Sequence, residues 1–237
     1  MRTPTWLTGL ALAAIAVMSA MSLSAAANAA APPGTVTGVA VGAGDTNLDW
    51  AKLKAEGVQF AYVEDTSGTM SNNPLFKAQY QGARGVGMLV GATHFALPDT
   101  SSGTTQADYF VANGGSWTAN EGILPPVLDI EWSPFGSACY GLSQAAMGNW
   151  ISQFVTEVHA KTARWPVIYT ATAWWTECTG NLRGFAADDP LWTTQSPSGP
   201  AALPYNWTTL TFVSVPDDAL HAYYDGTLAD LTKFANG

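Results

Sequence analysis

Short runs rich in Val, Ile, Tyr and Phe recur along the chain, and through its first two thirds helix-patterned segments separate them. The strand candidates are 35–42, 58–65, 88–95, 125–132, 166–171, 191–195, 209–215 and 220–226. Segments 48–57, 74–87, 103–115 and 143–162 carry the helical spacing, with Pro74 and Ser143 near helix starts and Gly57 and Gly87 just past helix ends. Strand, helix, strand at this spacing means βα units and a parallel sheet. Eight strand candidates favour a closed α/β barrel over an open sheet. After Tyr169 the helical segments shorten or vanish, so the expected barrel is irregular, with fewer helices in its second half. No linker, repeat or low-complexity stretch divides the chain, and residues 30–237 read as one domain.

Residues 1–29 read differently. Arg2 precedes an apolar core over Leu7 to Met18, and Ala27-Asn28-Ala29 forms a small-x-small cleavage site. This is the pattern of a secretory signal peptide, and the expected localisation is extracellular. A retained membrane anchor is the alternative, although the apolar core is short for a span. Two cysteines in a secreted chain, Cys139 and Cys178, are expected to pair. Neither lies in a metal-ligand spacing, so no metal and no cofactor are expected.

Charge narrows the partners. Removing Arg2 leaves 8 Lys plus Arg against 18 Asp plus Glu, a net charge near −10 (8 − 18), with three histidines and no basic cluster. Nothing here neutralises a phosphate backbone, which argues against nucleic acid. Ten Trp and eight Tyr suit a neutral, ring-shaped ligand such as a sugar, though aromatics also fill cores.

The chemistry concentrates in "ILPPVLDIEW", Ile123 to Trp132. In a strand, Asp129 and Glu131 share one face at the end of an apolar element. In a barrel that end is where active sites lie. Two crowded carboxyls there suit glycoside hydrolysis, with the longer Glu131 as general acid and Asp129 positioning substrate and tuning it. The alternative is a pair of acids capping the loop "SPFGSA". His94, near the end of the third predicted strand, reads equally as a site residue or as a satisfied core histidine. No GxSxG, HExxH or phosphate-cradling turn competes; the glycine-rich "GVAVGAGD" lacks the required context.

With "GVQFAYVEDTSGT", "GATHFALPDTSSGTTQADYF", "LPPVLDIEW", "CYGLSQAAMGNWI", "WPVIYTATAWWTECTGN" and "PLW", the chain resembles glycoside hydrolase family 25, the secreted lysozymes (N-acetylmuramidases). The resemblance implies cleavage of the β-1,4 bond after N-acetylmuramic acid in peptidoglycan, Glu131 as general acid, Asp129 as its partner and a Cys139–Cys178 disulfide. Tyr62, His94, Trp132, Tyr169 and Trp192 are the candidate glycan-contacting residues.

The departures from the family pattern lie in the groove. Ala40 stands where the first strand carries a catalytic Asp, Glu64 where a lysine is usual, and Ser67 where a glutamate is usual. Alignment of the last strand puts Leu220 at another site Asp. Two lost acids imply weakened hydrolysis unless Asp45, Asp217, Asp218 or Asp225 substitutes. The readings are therefore a secreted, monomeric muramidase of reduced activity, a pseudo-enzyme that binds cell-wall glycan, or a secreted protein-interaction module.

Overall fold

The computed structural model describes residues 32–194, 202–215 and 218–237, without the side chains of 218 and 219; residues 1–29, expected to form a signal peptide, and Asp217 lie outside the described residues. Nine strands form one sheet: β1 Thr35–Val41, β2 Phe60–Ser67, β3 Ser71–Asn72, β4 Leu89–Phe95, β5 Val127–Asp129, β6 Val167–Tyr169, β7 Leu191–Thr194, β8 Phe212–Val215 and β9 Asp218–Asp225. The order is β1-β9-β8-β7-β6-β5-β4-β2-β3, and pairing of β1 with β2 closes eight of them into a barrel. All eight expected strands are present. The two-residue β3, antiparallel to the end of β2, is an addition that its length hides in the sequence.

The helices are α1 Trp50–Ala55, α2 Phe76–Gly85, α3 Gly103–Asn113, α4 Gln144–Thr162, α5 Thr172–Thr179 and α6 Leu228–Asn236. Ser143 caps α4 by accepting the Ala146 N–H, and Asp49, Ser102 and Thr227 cap their helices likewise. Gly57 and Gly87, at φ +100° and +75°, take the left-handed conformation just past α1 and α2 that a Cβ would oppose.

The barrel corrects one expectation. β9 runs antiparallel to both β8 and β1. Only residues 216 and 217 separate β8 from β9. That is hairpin length, and a parallel return needs a crossover of a dozen residues or more.

Strand parity divides the interior from the outer layer. Phe60, Tyr62, Trp192, Phe212 and Tyr224 fill the barrel, with Tyr62–Trp192 and Tyr62–Phe212 centroids at 5.2 and 5.4 Å. Gly38 and Gly91 make room for them, since a Cβ would stand 2.3 Å from the ring of Phe60 or Tyr62. Leu128 and Ile130, on the other face of the β5 segment, pack outward with α3, α4 and α5. The Cys139–Cys178 disulfide, Cα to Cα 5.3 Å, ties the loop after β5 to α5. Closing its loop, a sequence separation of 39 residues, contributes about 4 kcal/mol by chain entropy.

Candidate active site

Because the aromatic stack fills the lower barrel, space opens only above it, at the C-terminal ends of the parallel strands. A pocket of about 480 Å³ lies there, with Ala40, Tyr62, Glu64, Asp129, Glu131, Tyr169 and Trp192 among its lining residues. Tyr62 and Trp192 make its floor. The Tyr62 hydroxyl donates to the Pro125 carbonyl at 3.1 Å, and the Trp192 indole N–H donates to Ser214 Oγ at 3.0 Å. Tyr169 stands against Trp192 edge-on and lies 3.3 Å from Thr194 Oγ1.

Asp129 ends β5, and Glu131 follows it on the same face, both turned into the pocket as strand parity requires. Extension continues past the strand, because the Ile130 N–H donates to the Tyr169 carbonyl at 3.0 Å. Burial pushes the Asp129 carboxyl well above the ordinary carboxylate range, and the charges of Glu131 and Glu64 push it further. Its Oδ1 is sealed from solvent without a hydrogen-bond partner. Glu131 is raised by burial as well. A carboxyl that keeps its proton toward neutral pH is what a general acid requires.

Glu64 is the pocket residue for which sequence reasoning found no role. Strand alternation places it there, two residues after Tyr62 and paired with Thr93; beyond it Thr66 pairs with His94, and Asp65 is the extra residue of a β-bulge. Its carboxyl is also raised by burial. Of the four acids considered as substitutes, Asp45 lines the pocket, its Oδ2 accepting the Gly42 N–H at 2.8 Å. Asp225 pairs with Thr35 at the opposite end of the barrel and cannot reach. The Asp218 side chain and Asp217 lie outside the described residues.

Other expected site residues sit elsewhere. His94 is fully buried on the outer face of β4, stacked on Phe154 at 5.1 Å, so it contacts no ligand in the pocket. Its parity is opposite to that of Thr93, which does line the pocket. Trp132 is 38% exposed on the loop beyond Glu131 and is not part of the lining. Ala40 does line the pocket, facing it with no ionisable group. Leu220 packs instead against the outer apolar layer of Val39 and Val41, where the β8–β9 register shifts.

A barrel with a carboxyl pair at the end of its central parallel strand invites comparison with known proteins. The description "Glycosyl hydrolases family 25" matches residues 39–213. The chain belongs to glycoside hydrolase family 25. Lysozyme M1 of Streptomyces globisporus is 39% identical over 211 residues, 85% of this chain and 71% of that protein. The N,O-diacetylmuramidase of Arthroderma benhamiae is 37% identical over 234 residues, 93% of this chain and 99% of that one. The family 25 lysozyme of Aspergillus fumigatus superposes with a TM-score of 0.83 at 39% identity, covering 86% of this chain and all of that one. Family membership thus joins the fold and the pocket to glycosidic chemistry.

Proposed function

We propose that this protein is a secreted muramidase-type glycoside hydrolase that cleaves β-1,4 bonds in the glycan strands of peptidoglycan, with reduced turnover. The observation that carries the reading is the half-buried Asp129–Glu131 pair, raised in pKa, above an aromatic floor. Glu131 protonates the glycosidic oxygen as the bond to the anomeric carbon breaks. Water then supplies a hydroxyl to that carbon, and its remaining proton restores the acid. Asp129, neutral beside it, donates a hydrogen bond that positions the substrate. Tyr62, Tyr169 and Trp192 offer the faces on which sugar rings pack. The leader peptide directs export, and the mature chain acts as a monomer without metal or cofactor.

The test is clearing of a cell-wall suspension with release of reducing ends. Wild type is expected to clear and Glu131→Gln to lose about 10²–10⁴ of the rate. Clearing that persists unchanged in Glu131→Gln overturns the reading. The side chain of Ala40, facing the pocket without an acid, favours a second reading, a glycan-binding protein without turnover. That reading expects co-sedimentation with insoluble peptidoglycan and no reducing ends. Leaving the protein wholly in the supernatant overturns it.

A further inference from the structure

We propose that Glu64 is a third catalytic carboxylate of this pocket, the one that stays ionised and faces the positive charge developing on the sugar as Glu131 protonates the leaving oxygen. This rests on the hydrolase reading above. Glu64 forms no bond and exchanges no proton in the step; its contribution is a fixed negative charge in a place shielded from water, where such charges act most strongly.

Three observations support it. First, strand alternation turns Glu64 into the pocket on the same face as Tyr62, in register with Thr93, and its charge is felt by Asp129. Asp129 feels the charges of both other carboxyls, so it takes a proton first and leaves Glu64 free to hold the charge. Second, the Glu64 carboxylate has no cation and no hydrogen-bond donor among the described residues. A half-buried charge held for structure alone is normally paired, and this one is open to a ligand. Third, the facing position on the neighbouring strand end is Gly42, where a Cβ would stand 3.4 Å from Glu64 Oε2, in ordinary contact. A longer side chain there would take up the space beside the carboxylate, which glycine leaves open to a ligand. Asp45 is less suited, since one of its oxygens already accepts the Gly42 N–H.

Position 40 provides the control. Ala40 pairs with Tyr62 across β1 and β2 and lines the same pocket, so an aspartate there adds a carboxylate one step along the same wall. The experiment compares wild type, Glu64→Gln and Ala40→Asp/Glu64→Gln for release of reducing ends across a pH series, with co-sedimentation and thermal unfolding in parallel. Glu64→Gln is expected to lose about 100-fold in turnover while sedimenting as wild type does. The double variant is expected to recover at least about tenfold of that loss. The alkaline limb of the Glu64→Gln profile is expected to move to lower pH, because removing the charge lets Asp129, which must be neutral to donate to the substrate, release its proton earlier. That shift reports the Glu64 charge whatever its role, so the loss of turnover at the pH optimum, with binding and unfolding unchanged, decides the catalytic role.

Turnover of Glu64→Gln within about threefold of wild type overturns the role of Glu64 and leaves the hydrolase reading standing. A wild type that releases no reducing ends overturns the hydrolase reading itself, and clearing gained by Ala40→Asp in that background shows that Glu64 does not substitute. Should Glu64→Gln not fold, Glu64→Asp, which retracts the charge by one methylene, is expected to lose about tenfold. Wild-type turnover in that variant likewise overturns the proposal.

Discussion

The two faces of β4 and β5 treat buried polar groups in opposite ways. Outward, His94 is completely satisfied: Nε2 donates to Gln106 Oε1 at 3.0 Å, and Nδ1 accepts from Thr66 Oγ1 at 2.8 Å. The tautomer follows from the amide, because Gln106 Oε1 also accepts the Leu97 N–H while its Nε2 donates to the Leu97 carbonyl. Inward, Asp129 has an oxygen with no partner and two acids pressing on it. A satisfied network specifies a core, whereas an unsatisfied one opposes folding and is retained where a ligand or a reaction uses it. The contrast teaches which face carries structure and which carries chemistry.

Two substitutions would break that contrast if it is wrong. The larger effect belongs to Glu131→Gln, with its loss of about 10²–10⁴ in rate and an unfolding midpoint no lower than wild type. Next is His94→Ala, which empties a site between Phe110 and Phe154 and strips partners from Thr66 and Gln106. It is expected to cost about 3 kcal/mol at pH 7 by urea unfolding, with turnover per folded molecule unchanged. A His94→Ala protein that folds normally but does not turn over would place His94 in the site after all.

The eight barrel strands and the first four helices were legible because each carries its own period and its own stop signals, as Ser143 and Gly87 show. The Asp129–Glu131 pair was legible for the same reason, since parity within one strand needs no neighbour. What the sequence hides is register. Thr93 and His94 are adjacent, and only their pairing with β2 and β5 decides which faces the pocket. Glu64 points inward with Tyr62 by plain alternation, and the bulge at Asp65 then resets the parity of β2, so that Thr66 points outward to His94. A one-residue insertion of this kind leaves no periodic trace. The direction of β9 depended on the two residues before it, and the shifted β8–β9 register carries Leu220 to the outer layer.

The two faces also titrate in opposite senses, which sharpens the comparison. Burial lowers the His94 pKa to about 4, so the folded protein keeps it neutral while the unfolded chain protonates below about 6.5. The unfolded state then binds more protons, and the stability contributed by His94 falls as pH drops from about 6.5 to about 4, by about 3 kcal/mol in all. Asp65 and Asp189, raised by burial from 3.8 to about 7 and about 8, also change stability across this range as their unfolded forms ionise, so the total curve does not isolate His94. The difference between wild type and His94→Ala does. The cost of that substitution is expected to shrink from its value at pH 7 toward zero at pH 4, and a cost that holds constant would show that His94 is not kept neutral.

Asp129→Asn is the mirror image and the smallest effect. The Asp129 carboxyl is raised well above its unfolded value by burial, Glu131 and Glu64, so here the folded state binds the proton more tightly. Below the unfolded value both states are protonated and the group costs nothing. As pH rises from about 4 the unfolded chain ionises while the folded one resists, and the folded protein loses stability until the folded pKa is passed. Asparagine keeps the shape and removes the ionisation. Asp129→Asn is therefore expected to match wild type near pH 4 and to exceed it by about 1 kcal/mol at pH 7, read as a higher urea midpoint. Its turnover falls at the same time, which is the signature of a group retained against stability. A variant less stable than wild type at pH 7 would mean that Asp129 supports the barrel rather than opposing it, and the two faces of β5 would no longer differ in kind.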